Sequence, residues 1–184
     1  HGKTGYDGGT LGDPHSGGYE TYLKDEKQLH DIAAADYPAL PYLMFGHSWG
    51  SMLARAYAAC YGEDLTALML CGLCSQWKGC EEAYENEEFR AAYEADPYQP
   101  AGPWFGRVFS GMTDRIANPN GPSDWIANDP RVVADHGSDM FNTFDTTLEL
   151  VWDFVQLYHF IENPQWAEKV PSRLPVYLIS GDQD

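Results

Sequence analysis

Positive charge is scarce in this chain. Eleven Lys and Arg stand against 28 Asp and Glu, a formal net charge of −17. Such a surface repels nucleic acid and anionic membrane faces, and no basic stripe interrupts it. Strongly anionic substrates are disfavoured for the same reason. Long apolar runs are also lacking, since no stretch approaches the ~20 residues that a membrane-spanning helix needs. The opening residues His1-Gly2-Lys3-Thr4-Gly5 are polar and do not resemble a secretory leader, which says nothing of location where the true N-terminus is missing; a cytoplasmic location is the expectation. Cysteine is sparse, with Cys60, Cys71, Cys74 and Cys80 confined to one short region. Cys71-Gly72-Leu73-Cys74 has C-x-x-C spacing, but the second pair that would make a zinc site credible is missing. Cys71 also ends an apolar run, where a small buried residue is expected. These cysteines read as packing residues, and no metal or cofactor is expected.

What is present is enough apolar material for a core. Hydrophobic residues make up 43% of 184, with 14% aromatics, which suits a folded globular protein. Residues 1–18 are rich in Gly and Asp and read as a loop. From 19 to 36, Leu23, Leu29, Ile32 and Ala33 recur at helical spacing among charges, and Pro38 and Pro41 close the segment. Two apolar runs, 42–45 and 66–71, read as strands flanking a helix. The second is nearly continuously apolar, as in a parallel sheet covered on both faces. Beyond residue 76 the pattern changes to helices and turns. An acidic helix is expected over 81–96 and another over 104–117. Ser123 would cap a short helix, and a further segment starts at Asp129-Pro130. The strongest helix, 146–161, is apolar on two faces, one carrying Leu150, Phe154, Leu157 and Ile161, the other Leu148, Trp152, Val155 and His159. It fits a lid helix or a core helix equally well. Residues 174–180 return to a buried-strand pattern.

The chemistry concentrates at Tyr42-Leu43-Met44-Phe45-Gly46-His47-Ser48-Trp49-Gly50-Ser51. An apolar strand runs into Gly-x-Ser-x-Gly, and a helix-forming run follows without a gap. In that context the pentapeptide means a nucleophilic serine on a sharp strand-to-helix turn. A serine hydroxyl is a weak nucleophile until it is exposed and given a base. Small flanking residues, Gly46 and Gly50, let strand and helix approach closely, and the helix N-terminus favours developing negative charge.

Four segments resemble the α/β-hydrolase superfamily, more narrowly its monoacylglycerol lipase, lysophospholipase and serine aminopeptidase-like branch. They are His1-Gly2-Lys3-Thr4; Leu40-Pro41 through Ser51; Trp125-Ile126-Ala127-Asn128-Asp129-Pro130; and Leu174-Pro175-Val176-Tyr177-Leu178-Ile179-Ser180-Gly181-Asp182-Gln183-Asp184. The resemblance implies an α/β-hydrolase fold: a parallel sheet flanked by helices, with a helical cap insertion. Core would occupy 1–75, cap 76–171, and 172–184 would return to the core. The resemblance makes Ser48 the nucleophile and Asp184 the triad acid, with Asp182 its competitor. It makes the Trp49 N–H an oxyanion donor, at a position where the family usually carries Met. Gly46, His47 and Gly50 become structural residues of the elbow, because a ring at His47 points away from the neighbouring hydroxyl.

In this superfamily the triad histidine follows the acid, and nothing follows Asp184. The expectation is therefore an internal piece of a longer protein, with strand edges left unpaired and no triad turnover of its own. His1, His15, His136 and His159 occupy no position known for the base. The function implied is hydrolysis of carboxylic esters of apolar acyl chains through an acyl-enzyme, with a small apolar ester or lipid as partner. A peptidase or amidase of the same fold, or a non-catalytic binding protein, is the alternative.

Overall fold

The computed structural model describes residues 2–14 and 17–181. They divide into two compact units, one of residues up to 16 with 78–152, the other of 17–77 with 153 onwards. Residues 153–171 therefore pack with the sheet, and the opening residues pack with the helical unit.

The sheet unit contains three parallel strands in the order β1-β2-β3: β1 (Leu43–His47), β2 (Ala67–Cys71) and β3 (Val176–Ile179). The register aligns Phe45 with Met69 and Met69 with Tyr177, and likewise His47 with Cys71 and Cys71 with Ile179. Because side chains alternate along a strand, one face carries Leu68 and Leu70, both buried, beneath helix α3 (Trp49–Tyr61). The other face presents Leu43, Phe45, Met69, Tyr177 and Ile179 exposed. The sheet expected to be covered on both faces is thus covered on one among the described residues. All of β3 is exposed as well, including Val176 and Leu178 on the helix side.

Helix α2 spans Tyr19–Asp36, and packs on α3. Its bounds match the sequence expectation, but its buried positions are Leu23 and His30, whereas Leu29 and Ile32 are more than half exposed. His30 gains a place inside because its ring sits edge-on to Tyr42 at 4.6 Å and its Nδ1 lies 3.0 Å from Asp31.

The helical unit is built of short pieces. The stretch expected as loop contains α1 (Lys3–Gly8), ended by Gly9 at φ 68°. Its Tyr6 ring meets Phe141 edge-on at 5.9 Å, a tertiary contact that Gly-rich local sequence does not announce. The single helix expected over 81–96 is two, α4 (Lys78–Tyr84) and α5 (Glu87–Ala95). Asn86 breaks it, its side chain accepting the Phe89 N–H at 2.9 Å as the cap of α5. Helix α6 covers only Pro103–Val108 rather than running to 117, and a single 3-10 turn follows at Asp124–Ile126, where Ser123 makes no side-chain cap. Asp129 does cap α7 (Pro130–Ser138). Phe89 is fully buried, stacked on Trp104 at 4.8 Å and edge-on to Trp152 at 5.4 Å. Tyr84 stacks on the same Trp152 at 5.9 Å, and Tyr93 leans on it at 5.6 Å.

Helix α8 (Leu148–Glu162) gives its first turn to this unit and the remainder to the sheet unit. It is buried from Leu148 through Val155 and again at Leu157, Tyr158 and Ile161, much as its doubly apolar pattern predicts, but His159 is exposed and the acidic Glu149 and Asp153 are buried.

Candidate active site

The site grows from the junction of β1 and α3. The Ser48 N–H donates to the Cys71 carbonyl at 3.0 Å, carrying the ladder one residue past the strand. The chain then turns sharply, with Ser48 at φ 53° and ψ −121°. A non-glycine residue rarely holds that conformation, which costs on the order of 1–3 kcal/mol. Three donors lock the Ser48 carbonyl: the N–H groups of Ser51 and Met52 at 2.8 and 3.4 Å, and the Ser51 hydroxyl at 2.6 Å. Ser51 itself is fully buried. Its role was missed from sequence, although a serine three residues after a turn residue is placed to bond back onto it.

The two glycines of the pentapeptide have different surroundings. A Cβ on Gly46 would press into the Gly50 carbonyl and come within 2.8 Å of the Ala54 methyl. Gly46 therefore sets how closely strand and helix approach. A Cβ on Gly50 would meet nothing within 4 Å; the close approach uses the Gly50 carbonyl, not space beside its Cα. His47 is exposed on β1, and a Cβ on Gly72, which follows β2 at φ 58°, would lie 3.5 Å from its Nε2. Its ring therefore sits over Gly72.

Trp49 opens α3, so its N–H belongs to the first helical turn, whose donors point out of the helix end. Its ring meets Tyr22 edge-on at 5.8 Å and Phe154 at 5.7 Å. Phe154 in turn meets Trp77 at 5.2 Å, and the Trp77 N–H donates to the buried Tyr158 hydroxyl at 2.6 Å.

Two turns along α3, Arg55 is 5% exposed. It donates to the Cys74 carbonyl and pairs with Glu162 at 3.4 Å, while the other Glu162 oxygen accepts the Ser75 hydroxyl at 3.1 Å. The loop after β2 is thereby tied to the helix behind the serine. Burial lowers the Arg55 pKa from its ordinary value, and Glu162 opposes that shift. The signal in the sequence is a lone cation inside the apolar run of α3.

At the far strand, the Ile179 carbonyl accepts the Gly72 N–H at 3.0 Å and the Ser180 hydroxyl accepts the Leu73 N–H at 3.2 Å. The parallel register brings the carboxyl ends of β1 and β3 to the same edge of the sheet, the edge where open α/β sheets bind ligands. Asp182 and Asp184 lie outside the described residues, as do His1 and His15. Among the described residues, no histidine hydrogen-bonds the Ser48 side chain, and no group of three or more His, Cys, Asp or Glu is placed to hold a metal ion.

A parallel α/β unit whose serine sits in a left-handed turn between strand and helix is that of an α/β-hydrolase. More narrowly, the chain belongs to the serine aminopeptidase S33 family, matching it over residues 1–184. It is similar to a highly thermostable carboxyl esterase from Bacillus coagulans, with a TM-score of 0.91 and 42% identity, covering 100% of this chain and 60% of that one. A lipase in its open form shows a TM-score of 0.89 and 32% identity over 97% of this chain and 58% of its own. A monoacylglycerol lipase of Mycolicibacterium smegmatis is 28% identical over 118 residues, 64% of this chain and 36% of that protein. The chain thus spans between 36% and 60% of the length of these relatives. No helix among the described residues is long and apolar enough to cross a membrane.

Proposed function

We propose that the protein is a serine hydrolase that cleaves carboxylic esters of apolar acyl chains, in the manner of a lysophospholipase or monoacylglycerol lipase. The observation that carries this reading is the left-handed Ser48 between β1 and α3. The Ser48 hydroxyl attacks the ester carbonyl while a histidine base, oriented by Asp184, takes its proton. The oxyanion is held by the Trp49 N–H and a second donor as the alcohol departs with the base's proton. Water, activated by the same base, then attacks the acyl-enzyme, and the carboxylic acid leaves with Ser48 restored. Kinship with an esterase and two lipases supports an ester substrate.

A fluorophosphonate probe should label Ser48 in the full-length protein, and Ser48→Ala should remove both label and ester turnover. A folded protein that takes no label would overturn the reading. The family's description as serine aminopeptidases favours one alternative, cleavage of aminoacyl amides. A panel of acyl esters beside aminoacyl amides distinguishes the two, and a preference for amides would reverse the assignment.

A further inference from the structure

The ring series beside Ser48 has a direction. Trp49 follows the nucleophile in sequence, so its side chain leaves the backbone one Cα away from the reacting serine. From there the rings run Trp49 to Phe154 at 5.7 Å and Phe154 to Trp77 at 5.2 Å, both edge-to-face. Phe154 is 8% exposed, whereas Trp49 and Trp77 each keep part of their surface open. A buried ring thus braces two partly open ones. Edge-to-face packing adds stability beyond the area it buries and fixes ring orientation. The far ring is held from its backbone as well, through the Trp77 N–H on Tyr158, and the loop that carries it is tied down by Arg55 at Cys74.

We propose that Trp49 and Trp77, braced by Phe154, form the wall along which the acyl chain of the substrate lies, with Trp49 contacting its first carbons and Trp77 its distal ones. This rests on Ser48 being the acylated residue. A rigid apolar wall starting at the nucleophile discriminates by chain length, because each further methylene gains contact only if the chain extends along it. One methylene against an apolar pocket changes kcat/KM by about tenfold or more. The order of the rings therefore becomes an order of substrate lengths.

The test is a series of p-nitrophenyl acetate, butyrate and octanoate with the full-length protein, its Trp49→Ala and Trp77→Ala variants, and the corresponding Trp→Phe variants. Trp49→Ala should lower the butyrate-to-acetate ratio of kcat/KM about tenfold. Trp77→Ala should lower the octanoate-to-butyrate ratio about tenfold, and Trp77→Phe should restore most of it. A uniform loss across the three esters, or unchanged ratios, would show the rings to be packing only and would overturn the wall. Fluorophosphonate labelling of Ser48, run on every variant, separates the two readings. Label retained with unchanged ratios removes the wall alone, whereas no label on the unsubstituted protein removes the hydrolase and the wall together.

Discussion

The two units of this chain are specified in different ways. In the sheet unit, position is set by backbone: a ladder bond from Ser48, a carbonyl held by three donors, and a glycine that leaves no room for a methyl group. In the helical unit, position is set by side-chain volume. Its helices α4 to α7 are six to nine residues long, too short to persist alone in water, and rings from α4, α5 and α6 converge on Phe89 and Trp152. Backbone specification is intolerant of single atoms but indifferent to most side chains. Volume specification tolerates a change of shape and fails when the volume is removed.

Five substitutions at four positions probe that contrast. Trp152→Ala should destabilise by about 3–5 kcal/mol, read from the urea midpoint, because it removes the ring shared by Tyr84, Phe89 and Tyr93. Trp152→Phe should cost less than about 1.5 kcal/mol, since most of the packing volume remains. If phenylalanine were as damaging as alanine, the helical unit would depend on the indole itself and not on its volume. In the elbow the scale is a single methyl group. Gly46→Ala should cost about 1–3 kcal/mol by forcing strand and helix apart, while Gly50→Ala should fall within about 0.5 kcal/mol. Equal effects at the two glycines would show that α3 shifts freely, and the contrast between units would collapse. An effect of opposite sign is expected of Ser48→Gly. Relief of the left-handed backbone should raise stability by about 1 kcal/mol while removing the proposed nucleophile. A lower urea midpoint for that variant would mean the turn is not strained.

The same difference explains what could be read from the sequence. The strands, the elbow and α2 follow local rules: an apolar run, Gly-x-Ser-x-Gly, a proline stop. Each lies where those rules put it. The departures are tertiary in cause. Leu29 and Ile32 carry helical spacing yet face outward, while His30 is buried against Tyr42, a partner on another element. Helix α1 rests on Phe141, far along the chain, and no local pattern announces that contact. The break between α4 and α5 was legible in principle, because Asn86 is a good cap residue; the acidic run around it masked the signal. In the candidate site, Ser48, Trp49, Gly46, His47 and Gly50 are singled out by one motif, and the backbone turn at Ser48 follows it. Arg55, Ser51 and Trp77 were not, since their roles depend on what folds back against them.

The turn at Ser48 has one more consequence, which concerns timing. A catalyst folds once but reacts many times, and the proposed role of Ser48 would make that difference matter here. A conformation that is unfavourable for the free chain is imposed during folding, by the ladder bond to Cys71 and the bonds to Ser51 and Met52. From then on the hydroxyl of the proposed nucleophile stands where the turn holds it, before any substrate arrives. The burden falls once on each molecule's stability, and no catalytic cycle has to repeat it.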